Sequence, residues 1–506
     1  MRSAKTIALL SYASVILYVV IGFLYTPYLT GTLGVSDYGI YSLTASLVGY
    51  LSLDFGIGAA LARLAAKFIS EGRKEKIRDL LGLTCKFFMS IDVFIIFIAS
   101  VVWVYSDVIF TNFSFDELSK FKKVFIITGL FTVLNFPLLP TKGLFQAFDR
   151  VYDFVLIDFV YKIVNITSLV FALYFGFGLM GVVVANTTTN LLAQLVRFSY
   201  IYRKEKLSFN LKAKDNEIVR FIASFSTWST LAMIADKFFF GVIPLLLAAF
   251  SNTREVAIFA IAISIEGYTL GIARSMSGIF LPRVMKMVVR GDDVEKRTEL
   301  MIKVGRIQLY VVGMIVVGLI GFGKDFVYLW VGPDYDKSYY CVALVLFPCM
   351  FHLTKTIAEE LLLATNNVKY RAITYACGST LSVLSIVLFS PYLGALAAAI
   401  GVFLSFVVAH NLLLDIFYHK KVGVNMLRFY KECHCRIFYV LLLCLAVAWG
   451  LQFFISSVTW MLLFLKGAIW AVCSILILWF LAFNREEKNM LLTYVSNVNE
   501  KNRNCK

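Results

Sequence analysis

The sequence predicts an all-α, polytopic membrane protein: about fourteen transmembrane helices, in two parallel-repeat six-helix lobes with two extra helices behind them. Three observations lead there. Of 506 residues, 60% are hydrophobic and only 16% charged, and the mean hydropathy is +0.79. A soluble protein carries about 25% charged residues, so too little polar surface remains here to coat several soluble domains. Apolar runs recur along the whole chain, each long enough to cross a ~30 Å hydrocarbon core as a helix. Finally, most of the 48 Lys and Arg fall in loops on the side of the two termini. That bias accounts for the net charge of +16 and places both termini in the cytoplasm. Soluble enzymes, nucleic-acid binders and secreted disulfide scaffolds are excluded as classes.

The spans follow in order. The first, near 8–30, continues from Met1–Lys5 without a small-x-small cleavage pattern, so it reads as a retained span and not as a signal peptide. Further spans fall near 39–62, 80–104, 124–147, 154–174, 179–201, 221–249, 256–281, 302–322, 339–363, 372–390, 392–416, 436–456 and 461–483. Pro137 and Pro140 should kink or break the fourth. The longest outer loops, Tyr105–Lys123 and Gly323–Ser338, are too short for a catalytic domain. Neither a phosphate loop nor a nucleophile elbow nor a zinc helix is present, so no enzyme activity and no cofactor is expected. The nine Cys are scattered, most of them in apolar helices. Cys433-His434-Cys435 lacks a second pair at zinc spacing, so no metal is expected.

An internal repeat gives the domain plan. Tyr38–Tyr50 aligns without gaps on Val256–Tyr268, with Ile40/Ile258, Ser46/Ser264, Gly49/Gly267 and Tyr50/Tyr268 identical. A shift of six helices preserves orientation, so the repeats are parallel and related by an axis along the membrane normal. The expected lobes are 1–218 and 219–416, with 417–506 holding helices 13 and 14 and a cytoplasmic tail.

Ionisable residues inside spans are functional candidates, because burying a charge in a bilayer costs ~2.5–3.5 kcal/mol. Asp158 with Lys162, and Lys355 with Glu359, stand i,i+4 and can neutralise each other. Lys86 can snorkel, and Arg197 sits where it marks a span boundary. Lys142, Lys237 and Arg274 have no evident helical partner and are the candidate cavity cations, suited to an anionic ligand. Asp54, Asp92 and Asp236 are the candidate coupling or gating acids; the repeat sets Asp54 and Arg274 at matching depth as an expected pair between lobes.

At these residues the chain resembles the Wzx-type oligosaccharide flippases of the multidrug/oligosaccharidyl-lipid/polysaccharide (MOP) exporter superfamily. The resemblance rests on Leu33-Gly-Val-Ser-Asp-Tyr-Gly-Ile-Tyr41 and Leu53-Asp-Phe-Gly-Ile-Gly-Ala-Ala-Leu-Ala-Arg63. It continues in Asp236-Lys-Phe-Phe-Phe-Gly241, Leu281-Pro-Arg283, Tyr328-Leu-Trp-Val-Gly-Pro-Asp-Tyr335 and Leu362-Leu-Ala-Thr-Asn-Asn-Val-Lys369. Gly56, Arg63, Pro282 and Arg283 are its structural motif residues. The resemblance implies alternating-access translocation of undecaprenyl-pyrophosphate-linked oligosaccharide across the cytoplasmic (inner) membrane, for surface polysaccharide of the O-antigen or capsule type. It also implies proton or sodium coupling, membrane lipid around the protein, and a polymerase and glycosyltransferases as pathway partners. A cation-coupled multidrug or small-molecule antiporter of the same superfamily is the alternative; it calls for an acidic cavity.

Overall fold

A computed structural model describes residues 4–53, 55–277, 280–290, 293–365, 367–455 and 458–489, and every regular element among them is a helix. In chain order these are α1 (Ala4–Leu51), α2 (Ile57–Ser70), α3 (Lys74–Val104), α4 (Phe115–Asn135), α5 (Thr141–Ala147), α6 (Val151–Tyr174) and α7 (Gly178–Lys204). Then come α8 (Asn216–Phe250), α9 (Thr253–Ser277), α10 (Leu281–Arg290), α11 (Val294–Val331), α12 (Asp336–Leu353), α13 (Thr356–Ala364) and α14 (Val368–Leu393). Last are α15 (Ala395–Val422), α16 (Met426–Phe454) and α17 (Trp460–Ala482). Among the described residues, eleven helices are long and apolar enough to cross a membrane, and a bent pair makes up to a twelfth.

Some backbone breaks fall where hydropathy places them and others where it cannot see them. The first two expected spans are the two limbs of α1, which meet at Gly34, non-helical (φ 75°, ψ 172°) and inside the expected connection between them. The second span was expected to reach residue 62, but the helix stops at Leu51. Phe55 (φ 50°) and Gly56 (φ 70°) take left-handed conformations, and α2 restarts behind them as a separate helix. Gly56 caps α2 because glycine enters that region at no steric cost. The new helix buries Ile57, Ala60, Leu61, Leu64, Ala65 and Phe68 on one stripe and exposes Arg63 and Lys67 on the other.

The expected eighth span likewise ends at Ser277 and not at 281; α10 follows with Pro282 in its first turn, a position that needs no backbone N–H. The tenth is bent by 59° between the α12 and α13 segments. The fourth breaks as the prolines require: α4 gives way to a 3-10 turn at Phe136–Leu138, then α5.

Two compact units result. The first comprises Met1–Ser275 and Val368–Leu414, the second Met276–Asn367 and Asp415–Lys506. The expected boundary at 218 lies inside the first unit. There α14 packs along α8 and α15, and α2, α3 and α5 close on a core containing Leu61, Leu80, Phe88, Phe136 and Phe145. Asp215 caps α8 by accepting from the N–H groups of Glu217 (3.0 Å) and Ile218 (3.2 Å), and the Lys76 ammonium bonded to it holds its carboxyl below the usual range.

In the second unit α11 is the spine, packed by α12, α16 and α17. Three charge pairs distant in sequence are held there, one of them through the half-buried Glu487. Lys355 Nζ donates to Asp415 Oδ1 (2.6 Å), Arg306 Nε to Glu487 Oε1 (2.6 Å), and Lys466 Nζ to Asp325 Oδ2 (3.1 Å). Lys355 and Lys466 are 1% and 0% exposed, so neither charge has water to turn to.

Candidate functional site

Two arrangements in the first unit stand out. The first is a clasp at one end of the bundle. The second limb of α1 begins beside the start of α9, and the crossing needs Gly39: a Cβ there would lie 2.0 Å from the Thr253 carbonyl oxygen. Ser114 and Glu117 begin α4 as a capping box, Ser-x-x-Glu, in which Glu117 Oε2 accepts from the Ser114 N–H at 2.8 Å. The other carboxylate oxygen reaches outward. Glu117 Oε1 accepts from Ser36 Oγ at 2.6 Å and from Thr253 Oγ1, and those two hydroxyls are 3.2 Å apart. Lys120, one turn further on, bridges Asp37 (2.9 Å) and Asp116 (3.1 Å). One carboxylate thus ties together the starts of the two helices that the sequence repeat relates.

The crossing predicts a stability contrast. Gly39→Ala forces a methyl group onto the Thr253 carbonyl and should cost about 1–3 kcal/mol. Gly31→Ala, with nothing within 4 Å of the new Cβ, should be neutral or slightly stabilising. Thermal unfolding of the purified protein checks both; equal melting temperatures would mean that the helices do not cross at Gly39.

The second arrangement is a cavity of about 300 Å³ walled by the second limb of α1, by α4 with the turn after it, and by α7. The walls repeat every four residues, hence on one face of each helix: Thr44 and Val48, with Ser52 just past the end of α1, then Thr128 and Thr132, and Asn186, Asn190 and Gln194. Behind α7 lies a charge network. Asp158 accepts from Lys162 (3.0 Å) as the i,i+4 spacing predicts, and also from Arg197 (2.8 Å). Lys162 further donates to Ser14 Oγ at 2.7 Å. Arg197 is therefore no boundary marker: it is 7% exposed and locked between α6 and α7, and its Nη1 donates to Gln194 Oε1 at 3.2 Å.

The other sequence candidates lie on further elements. Lys142 is exposed on α5, and Arg274 is exposed near the end of α9; neither is among the described walls of the cavity. Lys237 and Asp236 lie on α8, and Pro282 and Arg283 on α10, with side chains outside the described residues. Asp54 is also outside them, and so is its expected pairing with Arg274. Asp92 is 8% exposed on α3, and its Oδ1 has no hydrogen-bond partner among the described residues. Lys86 stays exposed and donates to the Ala213 carbonyl (3.2 Å), as a snorkelling cation does.

Solved structures share this order of broken apolar helices. A structure described as "Lipid II flippase MurJ, inward closed conformation" matches with a TM-score of 0.71 at 12% identity, over 94% of this chain and 98% of that one. An inward-facing multidrug resistance MATE family transporter of the MOP superfamily matches at 0.66 and 14% identity, over 81% and 94%. A MOP superfamily transporter from Pyrococcus furiosus, described by the reverse polarity of its binding pocket, matches at 0.57 and 14% identity, over 83% and 94%. At such identities the likeness is one of fold: this is a MOP-type transporter fold. Residues 4–288, more than half of the chain, match the family described as polysaccharide biosynthesis protein, and the chain belongs to that family. No curated protein matches the sequence.

Proposed function

We propose that the protein is a flippase that moves undecaprenyl-pyrophosphate-linked oligosaccharide across the cytoplasmic membrane by alternating access. Membership of a polysaccharide biosynthesis family and a transporter fold support the substrate class, and one protein of similar fold is itself described as a lipid II flippase. The observation that carries the mechanism is the Glu117 clasp. It joins the two repeat-related helices at one end through hydrogen bonds that can break without disturbing either helix. In this reading the lobes 1–218 and 219–416 rock against each other, with 417–506 appended. Both termini are cytoplasmic, and the clasp faces outward.

The pyrophosphate carries the substrate's charge, and Lys142, Lys237 and Arg274 are its partners in this proposal, since Lys and Arg complement phosphate oxygens. Asp92, buried with an unpartnered oxygen, supplies the site for a coupling proton or sodium ion. Glycan export in cells tests the assignment. Lys142→Ala, Lys237→Ala, Arg274→Ala and Asp92→Asn should each lower export at least tenfold while the protein still inserts. Lys212→Ala and Lys214→Ala, in a loop, should leave export within about twofold, because exposed loop charges contribute little. Equal losses in both sets would reduce the interior charges to a role in folding.

A further inference from the structure

We propose that the cavity between the second limb of α1, α4 and α7 binds a neutral sugar ring. That the ring belongs to a lipid-linked glycan rests on the flippase reading; the chemistry of the pocket does not. No Asp, Glu, Lys or Arg is among its described walls, which are amides, hydroxyls, aromatic rings and aliphatic side chains. Thr44, Thr128 and Thr132 are buried in its walls. A polar ligand lying against such walls gives up water there and must find hydrogen bonds in the protein.

The donors and acceptors are already sorted. Thr44, Thr128 and Thr132 donate their hydroxyl protons to backbone carbonyls one turn back (2.8, 2.8 and 2.7 Å), which leaves their lone pairs as acceptors. The amides are oriented from behind. Asn165 Nδ2 donates to Asn186 Oδ1 at 3.2 Å, and Arg197 donates to Gln194 Oε1 at 3.2 Å. The NH₂ groups of Asn186 and Gln194 are thereby left to donate. Asn135 Oδ1, shielded from solvent, has no partner among the described residues, although a buried acceptor normally does. Tyr41 and Phe131 supply flat faces for the C–H side of a ring.

Ring hydroxyls each donate and accept, which matches a wall carrying both functions. A hard cation instead wants oxygen ligands, carboxylates among them, and the two amide donors would repel it. The volume agrees. About 300 Å³ is at the lower end of small-molecule pockets and equals roughly ten waters of ~30 Å³ each, far more than a bare ion fills.

The test uses the full chain in nanodiscs and saturation-transfer NMR, with glucose, galactose, N-acetylglucosamine and rhamnose as probes and sodium chloride as the competing ligand. At least one sugar should give a saturable signal, weakened about tenfold by Asn186→Leu and by Gln194→Leu, the loss expected for one hydrogen bond to a buried amide. Val196→Leu, on the exposed side of α7, should change nothing. Gln194→Glu, isosteric and beside Arg197, guards against misfolding of the leucine variants; it should weaken the sugar signal equally and admit sodium. Absence of binding by every sugar, or binding indifferent to Asn186 and Gln194, overturns the proposal, as does displacement of the bound sugar by sodium chloride in the unmodified protein. Translocation of lipid-linked oligosaccharide in matching proteoliposomes separates the two readings. Translocation with no sugar dependence on Asn186 and Gln194 removes the pocket and keeps the flippase. Sugar binding with no translocation keeps the pocket and removes the flippase.

Discussion

Lys466→Met should lower stability by about 3–5 kcal/mol, the cost of breaking a buried charge pair on one side. Lys466 Nζ donates to Asp325 Oδ2 (3.1 Å) and to Gln452 Oε1 (3.0 Å), and Gln452 Nε2 donates to the same Asp325 oxygen at 2.7 Å. All three lie on helices apolar and long enough to span the membrane. Removing the ammonium leaves a carboxylate with one amide donor and no water; removing the carboxylate by Asp325→Leu strands the lysine in the same way. The double variant Lys466→Met, Asp325→Leu leaves neither charge and should recover to within about 1–2 kcal/mol of the parent, because a well-packed apolar pair often replaces a buried ion pair without loss. Thermal unfolding in detergent reads all four proteins. Additive losses in the double variant would mean that the two charges are stabilised separately.

Glu117→Gln should shift the conformational balance of the first unit. The carboxylate accepts from Ser36, Thr253 and the Ser114 N–H, and hydrogen bonds to a charged group are worth about 1.5–3 kcal/mol each. Glutamine keeps one acceptor for the cap and cannot hold both hydroxyls as strongly, so a population change of at least tenfold toward the unclasped form is expected. Spin labels at Thr32→Cys and Asn252→Cys, both exposed beside the clasp, report it in a cysteine-free background. The parent should give one short distance. The Glu117→Gln protein should show a second, longer population. An unchanged distribution would make the contact a static packing feature.

What the sequence disclosed follows from the range over which each signal acts. Helix existence rests on runs of some twenty apolar residues, and those were legible. The break at residues 52–56 was not, because Leu53 and Phe55 keep the run apolar while the backbone at Phe55 and Gly56 turns left-handed. Pro137 and Pro140 announced their break because proline acts on its own turn. Asp158 with Lys162 was readable from i,i+4 spacing, whereas Arg197, arriving from another helix, was not. The pairs Lys355–Asp415, Arg306–Glu487 and Asp325–Lys466 bridge distant segments for which no spacing rule exists.

Part of the site was missed for a different reason. A search for charges inside spans passes over Asn186, Asn190 and Gln194, although their spacing of four was a visible polar stripe. The Ser114–Glu117 capping box was equally visible, but only the fold shows that Glu117 has a second oxygen free for Ser36 and Thr253.

Alternating access is tested most directly by locking the clasp. The hydroxyls of Ser36 and Thr253 are 3.2 Å apart, so cysteines at both positions should form a disulfide across the two helices when oxidised. In proteoliposomes loaded with lipid-linked oligosaccharide, Ser36→Cys with Thr253→Cys should translocate when reduced, stop when oxidised, and recover on adding reductant, while each single variant ignores the oxidant. Undiminished translocation by the fully cross-linked protein would contradict the account, because the helices would then never need to part at that end.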